Sequence, residues 1–119
     1  LFSSWAKGID ALARHANVVM KLGGLASPVT GYDGGQRPQP PSSADFLAER
    51  GAYFHHAINA FGPRRCLFGS NFPVDSVSIG YPVLWNAFKR LTHGASADEK
   101  AALYAGTAAR FYGMEHLLG

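Results

Sequence analysis

Apolar positions along this chain change their period several times, and each change marks an element. Trp5, Ile9, Leu12, Ala13 and Ala16 recur at helical spacing while Lys7, Asp10 and Arg14 fall on the other side. That pattern predicts a first helix with Ser3 or Ser4 as its cap and Asn17 at its end. Val18-Val19-Met20-Lys21-Leu22 then runs apolar and β-branched, as a buried strand does, until Gly23-Gly24 breaks it. Ser42-Ser43-Ala44-Asp45 has the residues of a capping box, and Leu47, Phe54, Ile58 and Phe61 supply one apolar face of a second helix, stopped by Gly62-Pro63. Cys66 to Ser70 reads as a second strand. A third helix is predicted from Pro82 to His93, with Leu84, Phe88 and Leu91 as its stripe and Gly94 closing it. Ser96-Ala97-Asp98-Glu99 is another capping box, opening a short helix to Ala105, and Thr107 is placed to cap a last helix carrying Phe111 and Tyr112.

The predicted order is α-β-α-β-α-α-α, without repeats or a second domain. Strands alternating with helices imply an α/β fold with a parallel sheet and right-handed crossovers. Two strands leave both edges of such a sheet open, so either a partner supplies more strands or the chain is a piece of a larger fold. From Ala26 to Pro41 the sequence is rich in Gly, Pro, Gln and Ser. A loop of that length, well beyond the usual ~2–6 residues of a strand-to-helix connection, is expected to be functional or mobile.

Alternation along the strands assigns their faces. Val18, Met20 and Leu22 share one face and Val19, Lys21 and Gly23 the other; Cys66, Phe68 and Ser70 turn toward helices, Leu67, Gly69 and Asn71 away from them. Both away-facing sets end in a polar residue near the carboxyl edge, where α/β proteins bind ligands. The second strand breaks into Ser70-Asn71-Phe72-Pro73-Val74-Asp75, which makes Asn71 and Asp75 candidates for chemistry. Each has a plainer reading. Lys21 can be a buried cation paired with a structural carboxylate, and Asn71 and Asp75 can be turn or cap residues. Ser70 reads as structural, because no Gly-x-Ser-x-Gly elbow surrounds it.

The five histidines form no metal motif: His55 and His56 are adjacent on a helix and diverge, and His15, His93 and His116 fall at helix ends. Gly23-Gly24 and Gly34-Gly35 match no phosphate-binding loop.

Composition narrows the class. A chain of 119 residues, 47% hydrophobic and 16% charged, suits one globular domain rather than a disordered segment. No apolar run reaches the roughly 18 residues of a membrane span, and the N-terminus lacks the pattern of a signal peptide. The single Cys66 cannot form an internal disulfide, which points to a reducing cytoplasm. A net charge of +3 with a pI near 9.3 raises the question of nucleic acid. The cations are dispersed among acids without an aromatic-laced cluster, so neither nucleic acid nor membrane is an expected partner.

Three stretches together resemble the C-terminal part of an amidohydrolase-family (β/α)8 barrel, in the branch that holds metal-dependent hydrolases, decarboxylases and lactonases. They are Asn17 to Leu25, Phe61 to Asp75, and Ala108-Ala109-Arg110-Phe111-Tyr112. The resemblance implies that residues 1–119 are one part of a single TIM-barrel domain of about 250 residues, with the strands as the barrel's last two. It implies a divalent metal, zinc or similar, in the full-length protein, held by histidines upstream of Leu1 and by no residue of this chain. The expected activity is hydrolysis of a lactone, ester or amide of a small anionic substrate by water attack. Decarboxylation of an aromatic acid is the alternative within the family, and a non-catalytic association module the alternative outside it.

By the same resemblance Asn71 and Asp75 orient water or substrate, Lys21 holds an anionic group, and the loop bearing Tyr32 and Arg37 covers the substrate. The chain by itself is expected to be inactive. Its expected partners are a small-molecule substrate and the N-terminal remainder of the barrel, with self-association left open. Where the family usually carries an aspartate, this sequence has Asn71. An amide oxygen accepts a hydrogen bond but takes no proton.

Overall fold

The computed structural model describes residues 1–118 and forms two compact units. One contains Leu1–Leu22, Tyr53–Phe68 and Ala95–Gly119, the other Gly23–Ala52 and Gly69–Gly94. The chain is α/β and mostly helical, with two strands and five α-helices among the described residues.

In the first unit, α1 (Phe2–Ala13) starts earlier than its serines suggested. Leu1 is the cap residue and makes no side-chain cap bond; its carbonyl accepts the Trp5 N–H at 3.1 Å. Ser3 and Ser4 lie inside the first turn rather than capping it. The reason is packing: Phe2 and Trp5 stack against Tyr53, with ring centroids 5.0 and 4.9 Å away, and helix formation through Phe2 is what brings both rings there. His56 adds a hydrogen bond to Asp10 at 2.8 Å.

The far end of α1 is closed by Arg65. Its guanidinium donates to the carbonyls of Ala13 (2.7 Å), His15 (3.0 Å) and Val18 (3.2 Å), the first of them a group that the end of α1 leaves without an intrahelical partner. It also donates to Phe61 O at 3.3 Å and lies 5.0 Å over the Phe61 ring.

Strands β1 (Met20–Leu22) and β2 (Cys66–Phe68) pair in parallel, with Met20 opposite Cys66, Lys21 opposite Leu67 and Leu22 opposite Phe68. Both are shorter than their apolar runs, because only three residues of each find ladder partners. Where the second strand forms, the predicted helix-facing side is the one observed. Cys66 Sγ sits 3.8 Å from Ala57 O, and Phe68 packs on Tyr104 at 5.0 Å. Among the described residues each strand has one unpaired edge. Burial pushes the Cys66 thiol up to about 12, so it stays an inert thiol at neutral pH.

Beyond the second capping box, where Ser96 Oγ and Glu99 reciprocate at 3.1 and 2.9 Å, the expected two helices are one continuous helical run. It passes from α4 (Ala97–Ala101) through a π-turn over Ala102–Gly106 into α5 (Thr107–Phe111). Thr107 therefore caps nothing. It is helical and buried, and its hydroxyl donates to Pro63 O at 3.0 Å, while Arg110 donates to Arg64 O at 3.0 Å.

Helix α2 (Ser43–Phe61) begins in the second unit and ends in the first. Its capping box forms as predicted, with Asp45 N–H donating to Ser42 Oγ at 3.1 Å and Ser42 N–H to Asp45 at 2.9 Å. Phe54 and Phe61 are buried, and so are Phe46 and Ala57, which the apolar stripe had not included. Gly62 at φ +81 turns the chain out of the helix, a conformation that needs glycine.

In the second unit the segment from Ala26 to Pro41 contains two short 3-10 turns, Pro28–Thr30 and Gly34–Gln36. It is tied to α2 by Arg37 to Glu49 at 2.6 Å and by Arg50 to Thr30 O at 3.2 Å. Helix α3 (Tyr81–Leu91) starts after Gly80 and buries Leu84, Ala87 and Phe88. It stops two residues before His93, where the Thr92 hydroxyl donates back to Phe88 O at 2.9 Å.

Candidate functional site

The turn that follows β2 gathers the polar groups of the second unit. Asn71 adopts φ +54, the left-handed region that asparagine tolerates better than other side-chain-bearing residues. There its backbone carbonyl accepts the Asp75 N–H at 3.0 Å, and its Nδ2 donates to Asp75 Oδ1 at 2.8 Å. A 3-10 turn over Val74–Val77 carries Asp75 inward, where its side chain is 1% exposed; Asn71 remains exposed. Ser70 serves this turn structurally, its Oγ accepting the Phe72 N–H at 3.2 Å.

The Gly23-Gly24 break makes room for the turn. A Cβ on Gly23 would lie 2.6 Å from Gly69 O, which no side chain can do without moving backbone, and one on Gly24 would lie 3.5 Å from Asn71 Nδ2. From the sequence the pair reads as a strand stop and matches no phosphate-binding loop. Glycine at the end of a strand is also the mark of close backbone approach, and that signal was present.

Burial pushes the Asp75 carboxyl above the ordinary carboxylate range, against the pull of the Asn71 amide and the Ala26 backbone N–H. Between the unfolded and the raised native value the folded protein holds a proton that the unfolded chain has released. The group's contribution is therefore fully present at low pH and is lost as pH rises through the native value. Comparing urea midpoints of wild type and Asp75→Asn at about pH 4 and about pH 7 isolates this group, since other carboxyls cancel. Wild type should gain relative to the variant at the acid end. A pH-independent difference would place the native carboxyl in the ordinary range.

The structure also brings Tyr32 and Arg37 together. Tyr32 is 2% exposed, its ring packs edge-on against Phe46 at 5.4 Å, and the guanidinium groups of Arg37 and Arg50 lie 5.2 and 5.5 Å from its centre. Burial pushes its phenol up. Arg37 is bound by Asp33 at 2.5 Å and Glu49 at 2.6 Å, contacts that raise its own pKa and hold the Asp33 carboxyl below its usual value. Arg37 lines a cleft of about 430 Å³ with Gly35, Pro41, Ser76, Ser78 and Gly80, its charge already countered there by two carboxylates. Lys21 belongs to the other unit, at the middle of β1, with its side chain exposed.

Among the described residues no three of His, Cys, Asp or Glu gather in a way that could hold a metal ion. Asp75 is buried and engaged by Asn71 and Ala26. The described residues of this chain do not by themselves fit a metal centre.

A parallel strand pair set among helices, its second strand breaking into this polar turn, defines an α/β protein. The amidohydrolase family model matches residues 2–114, and the chain belongs to that family. It is 38% identical over 93% of its length to the uncharacterized protein y4mH of Sinorhizobium fredii, and covers 33% of that protein. It is 32% identical over 92% of its length to an L-fucono-1,5-lactonase of Burkholderia multivorans, covering 35%. A crystal structure of an amidohydrolase from Burkholderia multivorans with bound zinc superposes with a TM-score of 0.79 at 34% identity, over 93% of this chain and 37% of that one. A second crystal structure of a Burkholderia multivorans amidohydrolase, with bound HEPES, gives a TM-score of 0.80 at 34% identity. The chain thus spans about a third of the length of the curated relatives it matches. No helix among the described residues is long and apolar enough to cross a membrane.

Proposed function

We infer that the chain is the C-terminal portion of an amidohydrolase-type (β/α)8 barrel, residues 1–119 forming part of one domain whose seventh and eighth strands are β1 and β2. The full-length protein then hydrolyses a lactone, ester or amide bond of a small substrate, with water as the nucleophile. One observation carries the reading beyond the family. Asn71 is held exposed at φ +54 just past the carboxyl end of a buried parallel strand, with a buried carboxylate bonded to its amide at 2.8 Å.

In this reading Asn71 contacts the reacting water or substrate, and Lys21 holds an anionic group or the developing oxyanion. Tyr32 and Arg37 act by bracing the loop that shapes the pocket, since the Arg37 charge is already balanced by Asp33 and Glu49. A divalent metal, held by residues outside this chain, would supply Lewis-acid activation of water or carbonyl. A lactonase among the relatives favours a cyclic ester as substrate.

The test is to assay full-length protein with L-fucono-1,5-lactone and other sugar 1,5-lactones, following acid release, beside carbon dioxide release from aromatic carboxylic acids. Lactone opening supports the reading. Carbon dioxide release without any ester or lactone hydrolysis would replace it.

A further inference from the structure

The polarity of the Asn71–Asp75 contact decides what Asn71 offers. A carboxylate is acceptor-only, so it can meet the amide only through the amide nitrogen, and the amide oxygen must then point elsewhere. Nδ2 donates to Asp75 Oδ1 at 2.8 Å, while among the described residues Oδ1 of Asn71 accepts no hydrogen bond. Asp75 itself is 1% exposed and cannot touch a substrate. Its backbone N–H donates to Asn71 O at 3.0 Å, so main chain and side chain clamp Asn71 from the same residue. The backbone of Gly24 runs beside the amide, where an added Cβ would meet Nδ2 at 3.5 Å and Cγ at 3.9 Å, and Asn71 as a whole is exposed.

We propose that Asp75 is a positioning residue that fixes the Asn71 amide with its oxygen toward the reacting centre, so that Asn71 accepts a hydrogen bond from the attacking water or a substrate hydroxyl and donates none to an oxyanion. This rests on the placement of Asn71 in the active site, and it deepens that placement by assigning the chemistry of the group it meets. An acceptor at this position orients the water's proton and leaves its lone pair directed at the carbonyl carbon.

The experiment uses the full-length protein with the sugar 1,5-lactones above and four variants. Asn71→Asp sets two carboxyls against each other. Asp75→Asn leaves an amide pair in which the Asn71 amide is no longer oriented. The double variant Asn71→Asp with Asp75→Asn restores one donor and one acceptor, again with an oxygen presented at position 71. Asn71→Gly removes the side chain while keeping the backbone conformation easy.

We expect each single exchange to lower kcat at least tenfold with KM nearly unchanged, and the double exchange to recover most of the loss, a coupling that independent structural defects do not produce. A double variant no better than the worse single one, or an Asp75→Asn variant within twofold of wild type while Asn71→Gly has lost activity, overturns the positioning role and leaves Asn71 in the site. An Asn71→Gly variant with wild-type kcat removes the underlying placement instead. A readout without turnover accompanies these. The Asn71 side-chain NH2 resonance, identified by its absence in Asn71→Gly, should be shifted downfield and protected from exchange, and should lose both features in Asp75→Asn. An unprotected NH2 in wild type overturns the proposal whatever the kinetics.

Discussion

Asn71→Ala in the full-length protein is expected to lower kcat by about a hundred- to a thousandfold, the loss typical of removing one preorganised hydrogen-bonding group from a hydrolytic site. The amide is exposed and its orientation is set in advance, so nothing need reorganise when the reacting group arrives. Truncation also leaves the buried Asp75 carboxylate without the Asn71 amide that meets it. Alanine must in addition occupy φ +54, which costs about 1–2 kcal/mol for a residue with a Cβ and appears as a lower melting temperature. Steady-state kinetics at a temperature well below that melt separates the two effects. Activity within threefold of wild type would take Asn71 out of the reacting centre.

Arg65→Ala is expected to produce the largest loss of stability, about 1.5–3 kcal/mol, the range for charge-assisted hydrogen bonds net of solvation. One guanidinium closes the carbonyls of Ala13, His15 and Val18, which belong to the end of α1 and the approach to β1. Without it the Ala13 and Val18 carbonyls lose this donor in a half-buried setting while His15 O keeps the Val18 N–H, and the Phe61 ring loses the guanidinium lying over it. Arg65→Lys should restore less than half, because an ammonium offers a point charge and no planar fork to span three carbonyls. Urea midpoints of the full-length variants measure this. A change under about 0.5 kcal/mol for Arg65→Ala, the level of an ordinary surface substitution, would show that solvent already serves those carbonyls.

The sequence made the element order and the strand faces readable because apolar period is a strong signal. Cys66 and Phe68 turn toward helices as alternation requires, and both capping boxes form from the residues that announce them. It was misleading where a tertiary contact outweighed a local preference. Ser3 and Ser4 are good caps, but stacking of Phe2 and Trp5 on Tyr53 extends α1 past them. Thr107 is a good cap too, yet its hydroxyl is taken by Pro63 and the helical run continues through a π-turn. In the candidate site, Asn71 and Asp75 were visible as a strand that breaks into polar residues. Their mutual bond, the Ala26 N–H and the clearance given by Gly23 and Gly24 were not, since each depends on a residue distant in sequence or on backbone direction.

The way the first unit is stitched has a consequence for its birth. Its bonds join Ala13 to Arg65, Pro63 to Thr107 and Arg64 to Arg110, and its three segments are interrupted by the two that make up the second unit. A ribosome emits residues in order, at roughly 5–20 each second, so the second unit's last residue is out before the first unit's final segment exists. During that interval β1 and β2 can pair, but the helical run that covers Phe68 has not yet arrived. A nascent chain stalled there displays an apolar strand and two bare edges, the kind of surface that chaperones hold and that neighbouring chains capture.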